Sequence, residues 1–107
     1  MAEQNNSLVF NANEQQVYAL RLFVSGASPN SIRAITNLKT ICETYLKNNY
    51  ELEIIDIYQQ PEKVAFEQIM AFPLLIKKSH GGQIRLIGDM SNKNRVLKCI
   101  GINPMNL

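Results

Sequence analysis

The sequence predicts an α/β domain of element order β-α-β-α-β-β-α, a four-stranded mixed sheet with helices on both faces. Three observations lead there. Val17-Tyr18-Ala19-Leu20-Arg21-Leu22-Phe23-Val24 is rich in β-branched and aromatic residues and suits a buried strand. It passes through the turn residues Ser25-Gly26-Ala27-Ser28-Pro29-Asn30-Ser31 into apolar residues at helical spacing. Further on, Phe72-Pro73-Leu74-Leu75-Ile76 puts a proline at the head of an apolar strand, and Ser79-His80-Gly81-Gly82 then marks a hairpin.

Residues 1–16 are rich in Asn and Gln and read as a mobile polar tail ahead of a domain spanning 17–103. Their apolar island, Leu8-Val9-Phe10, could dock on a neighbour or add an edge strand. In the first helix Ser28 can cap, and Pro29 can fill the first position, where a missing N–H is no loss. Ile32, Ile35, Leu38, Ile41, Cys42, Tyr45 and Leu46 carry the helix to about Lys47, and Asn48-Asn49 supplies a left-handed stop. The second strand is Tyr50 to Ile57. Its Ile54-Ile55 pair breaks strict alternation, which suits a central strand covered on both faces. Asp56 in that run is either solvated at the strand's exit or paired with a basic neighbour.

Gln59-Gln60-Pro61-Glu62 opens a second helix with an apolar face of Val64, Ala65, Ile69 and Met70, and Phe66 at its edge. The helix stops at Ala71-Phe72, because the residue before a proline is pushed out of the α region. The third strand runs to Lys78 and the fourth from Gln83 to Ile87, as an antiparallel pair. Gly88-Asp89-Met90-Ser91-Asn92 caps a last helix that turns Val96, Leu97 and Ile100 to the core. Gly101 ends it, and 104–107 form a short tail. The first three strands should be joined by two right-handed βαβ connections.

With 107 residues, 46% of them hydrophobic, the chain is one domain with a real core. A net charge of +2 is too mild to suggest nucleic acid. From Asp56 onward seven basic residues stand against four acidic ones. That describes either a solvated basic face or a docking face for an acidic partner. Cys42 and Cys99 sit beside apolar neighbours, with buried free thiols as the expectation and a disulfide as the alternative. No run approaches the ~20 apolar residues of a membrane span, and nothing marks a signal peptide. A reducing cytoplasm is the expected setting.

Catalytic constellations are scarce. His80, in the hairpin turn, has no implied partner for acid–base work. One histidine and two distant cysteines cannot build a tetrahedral metal site, and no phosphate loop or other cofactor motif is present. The expectation is a chain with no cofactor and no enzymatic activity. Arg33, just inside the first helix, is expected at the surface. An exposed edge strand could pair copies into a dimer or larger assembly.

This order of elements is the thioredoxin-like architecture. In such domains the turn after the first strand carries Cys-x-x-Cys. Here it holds no cysteine, so binding is the expected job. The helix, proline, hairpin sequence is also where they keep a cis-proline.

The chain also resembles the KaiB family of bacterial circadian clock proteins. The residues that carry this are Leu20-Arg21-Leu22-Phe23-Val24-Ser25-Gly26, Ser28-Pro29-Asn30-Ser31-Ile32-Arg33-Ala34 and Tyr50-Glu51-Leu52-Glu53-Ile54-Ile55-Asp56-Ile57. Gln60-Pro61, Ala71-Phe72-Pro73-Leu74-Leu75, Arg85-Leu86-Ile87-Gly88-Asp89-Met90-Ser91-Asn92 and Val96-Leu97-Lys98-Cys99-Ile100-Gly101 complete the match, from roughly 17 to 102. The resemblance implies a non-catalytic regulator that binds the N-terminal ring of the hexameric ATPase KaiC and affects its phosphorylation cycle. It implies competition there with the thioredoxin-like domain of the clock-output kinase and, in some systems, capture of KaiA. It also implies fold switching between a tetrameric ground state and a rare thioredoxin-like monomer. The alternative function is a thioredoxin-like sensor or adaptor module that binds another signalling protein.

The chain departs from the family at several of these positions. Arg33 keeps the basic residue at the start of the first helix, and Arg85 joins it as an expected partner contact. The second strand's lysine is Glu53 here, and the basic residue late in the second helix is Gln68. Both changes remove positive charge from the face expected to meet the ring. Pro73, Gly101 and Asn103 are the expected conformational positions. Asn103 replaces the acidic residue usual after that glycine, and Pro104 follows it. Ser79-His80-Gly81-Gly82 replaces a proline-rich stretch. A proline cannot donate to a strand ladder, and a glycine hairpin favours the thioredoxin-like pairing. The expectation is a chain that rests in the thioredoxin-like state, switches little, and serves a KaiC-like ATPase in clock or stress physiology.

Overall fold

Leu20, Leu22 and Val24 point to one side of the first strand and Phe23 to the other, all at 3% exposure or less. A strand apolar on both faces takes the centre of a sheet. The computed structural model, which describes residues 17–79 and 81–103, places it there. Its elements are β1 (Tyr18–Val24), α1 (Pro29–Ile41), β2 (Tyr50–Asp56), α2 (Pro61–Glu67), β3 (Leu74–Ser79), β4 (Gly82–Ile87) and α3 (Lys93–Ile100). The sheet order is β2-β1-β3-β4, with β2 parallel to β1 and the other pairs antiparallel. The predicted element order and mixed sheet are those observed.

Two layers of core follow from the alternation. On one face Leu20, Leu22, Val24 and Leu75 meet Ala34, Leu38 and Ile41 of α1 and Val96, Leu97 and Ile100 of α3. On the other, Phe23, Ile55, Leu74 and Ile76 gather with Ile69 beneath α2. Each such side chain contributes ~1.5–3 kcal/mol when fully buried.

Several expectations need correction. Among the described residues β2 is an edge strand, not a central one: Ile54 and Ile55 are covered on opposite faces, yet only β1 pairs with it there. Of the two expected βαβ units only β1-α1-β2 is parallel. α2 is seven residues long, about 10 Å at 1.5 Å per residue. The chain therefore re-enters at the end where β2 finished, with Leu74 opposite Phe23, and β3 runs antiparallel to β1. The first helix runs to about Lys47 as expected, but its left-handed stop is Lys47, not Asn48-Asn49. Beyond Ile41 it widens into a π-helical turn, Cys42–Leu46, closed by the bond from Lys47 N–H to the Cys42 carbonyl. Lys47 itself takes the positive φ of 53°.

α2 ends at Glu67, short of Ala71-Phe72. Gln68 adopts φ 56°, its N–H bonds to the Ala65 carbonyl, and the Ile69 N–H reaches back to Val64. This double bond pattern ends helices around a left-handed residue, and it carries Ile69 into the core. Ala65 and Met70 are consequently exposed, not core. Asp56 is neither free at the strand exit nor paired with a base. Its Oδ1 accepts from the backbone N–H groups of Gly26, at 3.2 Å, and Tyr58, at 3.0 Å, tying two turns together.

The Phe72–Pro73 bond is cis, and Pro73 precedes the strand, which starts at Leu74. Gly101, at φ 108°, ends α3, with the Ile102 N–H returning to the Leu97 carbonyl. Arg95, Val96 and Leu97 are helical. Cys42 and Cys99 are buried free thiols. The tail at 1–16 with its Leu8-Val9-Phe10 island, His80, and residues 104–107 lie outside the described residues.

Candidate partner-binding surface

The turn before α1 is built from hydroxyls. Ser28 caps the helix, its Oγ accepting from the Ser31 N–H at 3.3 Å. Ser28 Oγ–H donates to Ser31 Oγ at 2.8 Å, and Ser31 Oγ also accepts from the Ser25 N–H at 3.0 Å. Ser31 is fully buried, so these bonds satisfy it. The chain's cysteines lie elsewhere. Burial pushes the Cys42 thiol up to about 11, and burial likewise raises Cys99. A thiol so shifted is a poor nucleophile.

α2 buries no residue completely; Val64 packs on the core beneath it, and charge adds to that hold. Glu67, at its end, accepts from Arg21 Nη2 of β1 at 2.6 Å and from Gln83 Nε2 of β4 at 3.1 Å. Arg85 stands 3.7 Å from the same carboxylate and donates to the Glu67 backbone carbonyl at 2.8 Å. Hydrogen bonds from Arg21 and Gln83, aided by both arginine charges, hold the Glu67 carboxyl below the usual carboxylate range. On the helix's other side Lys63 pairs with Glu53 at 2.8 Å.

Beyond this clasp the surface turns apolar. Phe66 is 85% exposed, Met70 94% and Ile87 59%. Met70, Ala71, Leu74, Ile87, Arg85 and Arg95 line an open groove of about 440 Å³, together with Gln68 and Leu86. No acidic side chain lines it.

The expected partner contacts therefore divide. Gln68 and Arg85 come together on this groove. Glu53 lies across α2, engaged by Lys63. Arg33 is exposed but belongs to another face. It bonds Asn30 and reaches Asp89 at 3.3 Å, beside the bond from Asn37 to the Asp89 carbonyl at 3.0 Å. Hydrogen bonds from Ser91, with Arg33 beside it, keep the Asp89 carboxyl low. Of the conformational positions, Gly101 approaches Lys77, whose Nζ would lie 2.9 Å from an added Cβ. Asn103 is the last residue described.

Met70, expected on the apolar face of α2, is exposed, and Phe66, expected at its edge, is 85% exposed. Sequence reasoning does not single out Ile87 and Arg95, which the fold brings to the groove. No sequence signal marks the early stop, since Gln68 is of a type that ordinarily continues a helix.

The KaiB domain model matches residues 21–102. The chain is 43% identical to the circadian clock protein KaiB3 of Synechocystis sp. over 88 residues, 82% of this chain and 86% of that protein. The chain belongs to the KaiB family. It is likewise 40% identical to the circadian clock oscillator protein KaiB of Picosynechococcus sp. over 83 residues, 78% of this chain and 80% of that one. Among solved structures it resembles the N-terminal domain of Synechococcus elongatus SasA, with a TM-score of 0.65 at 21% identity, covering 94% of this chain and 90% of that one. Mitochondrial thioredoxin 3 of Saccharomyces cerevisiae gives 0.64 at 17% identity, covering 88% and 86%. At these identities the likeness concerns the fold, which is thioredoxin-like. In this KaiB-family chain the turn where thioredoxin-like domains carry their cysteines holds Ser25, Ser28 and Ser31. No helix among the described residues is long and apolar enough to cross a membrane.

Proposed function

We propose that the chain is a non-catalytic clock-type regulator in the cytoplasm, which docks on a hexameric KaiC-like ATPase and modulates its activity, in timing or stress physiology. The observation that carries this is the groove of exposed Met70 and Ile87 beside Gln68 and Arg85, on a KaiB-family domain. A methionine and an arginine are among the residue types enriched at protein interfaces. The serine turn and the inert, buried thiols support binding over redox chemistry.

Purified chain is sedimented with a purified KaiC-like ring, with and without ATP. The wild type is expected in the ring fraction, and Met70→Ser, at a 94% exposed residue of the groove, is expected to remain behind while keeping its Tm. No co-sedimentation under either nucleotide condition refutes the reading. The likeness to the SasA N-terminal domain favours one second reading, an adaptor that docks on a different signalling protein.

A further inference from the structure

We infer that the outer edge of β4 takes an extended segment of the partner as a fifth strand, with an apolar side chain in the Met70–Ile87 groove and a carboxylate on Arg95. This deepens the ring-docking reading and rests on it. Three independent features meet at one place.

The first is an unused strand edge. Among the described residues β4 pairs on one side only. Its register with β3 runs from Leu74↔Ile87 to Ser79↔Gly82, and the Gly88 N–H bonds the Pro73 carbonyl at 3.0 Å. Hydrogen-bonded pairs alternate along an antiparallel ladder. Counting by twos from Gly88, Leu86, Ile84 and Gly82 face β3, so Gln83, Arg85 and Ile87 turn their backbone N–H and C=O groups outward. Such a row is a template for an added strand.

The second feature is what borders that row. An added strand places alternate side chains on the α2 face, beside Arg85 and Ile87. The groove of about 440 Å³ opens there, floored by Leu74 and Ala71 and walled by Met70. Ile87 at 59% and Met70 at 94% exposure are uncovered by anything in the chain's described residues.

The third feature is charge. Arg95 lines the same groove, and its guanidinium makes no hydrogen bond or ion pair among the described residues. Arg85 is already engaged by Glu67. With no acid in the lining, the groove selects a carboxylate. The opposite edge, β2, presents Glu51 and Glu53 and would repel one.

The test is hydrogen exchange read by mass spectrometry on the full chain, free and bound to the purified KaiC-like ring, with titrations of wild type, Arg95→Glu and Ile87→Asp. Protection of the Arg85 and Ile87 amides on binding is expected. Each substitution is expected to weaken binding about tenfold or more, as truncation of an interface anchor does. Arg95→Glu touches no internal partner, so its Tm should match the wild type and exclude misfolding as the cause. If the wild type binds while the β4 amides exchange freely, or Arg95→Glu binds equally well, the edge proposal is overturned and the docking reading stands. If the wild type binds no ring, both fall. If the substitutions alter self-association in sedimentation velocity instead, the edge serves a second copy and the proposal is overturned.

Discussion

Glu67→Gln keeps the shape of the side chain and removes the charge that grips Arg21. The carboxylate is 10% exposed and Arg21 21%, so the pair is screened only in part. A hydrogen bond to a charged group contributes roughly 1.5–3 kcal/mol, and Gln can still accept one bond, so the expected loss is about 2 kcal/mol near neutral pH. For a domain of this size that lowers Tm by roughly 8–16 °C, at 4–8 °C per kcal/mol. The pH dependence follows from the direction of the shift. The folded carboxyl lies below its ordinary value. Its contribution is therefore complete above the unfolded pKa of about 4.3 and is lost as pH falls through the folded value. Urea titrations of both proteins should show the full gap near neutrality and a shrinking one in acid. Equal stability at neutral pH, or a gap that persists unchanged in acid, would refute the claim that charge adds to the hold on α2.

Phe23→Ala, at a fully buried site between β1 and α2, should destabilise by about 3–5 kcal/mol; a loss under 1 kcal/mol in urea titration would contradict the described packing. Gly101→Ala combines φ 108° with a Cβ 2.9 Å from Lys77 Nζ. It should cost about 1–3 kcal/mol, and adding Lys77→Ala should recover only the steric part, since the backbone strain remains. Burial pushes Cys42 up to about 11 and also raises Cys99, so a thiol reagent at mildly alkaline pH should label neither in the native chain and both in denaturant. Rapid native labelling would count against the buried placement.

Where one residue type decides the local structure, the sequence was legible. The apolar β1 run, the Ser28-Pro29 helix start, Pro73 before β3 and Gly101 after α3 all stand as expected. What was not legible depends on neighbours. Ile54-Ile55 suits a strand covered on both faces, but coverage by helices does not say how many strands pair beside it. In α2, seven residues are too few for a period to separate core from surface, and Met70, expected on the apolar face, lies beyond the helix end and is exposed. Arg33 was placed at the surface correctly, but its link to Asp89 spans 56 residues of sequence and no local pattern announces it. Gln68 and Arg85 entered through family resemblance; only the fold brings them to one groove.

The hydroxyls of Ser28 and Ser31 lie 2.8 Å apart, one half-buried at the helix cap and the other sealed beneath it. Their spacing along the chain, Ser28-Pro29-Asn30-Ser31, is that of a dithiol whose first sulfur attacks and whose second resolves. A helix N-terminus would also depress a thiol there. Here the same spacing carries oxygens, which hold the cap by hydrogen bonds and cannot exchange disulfides.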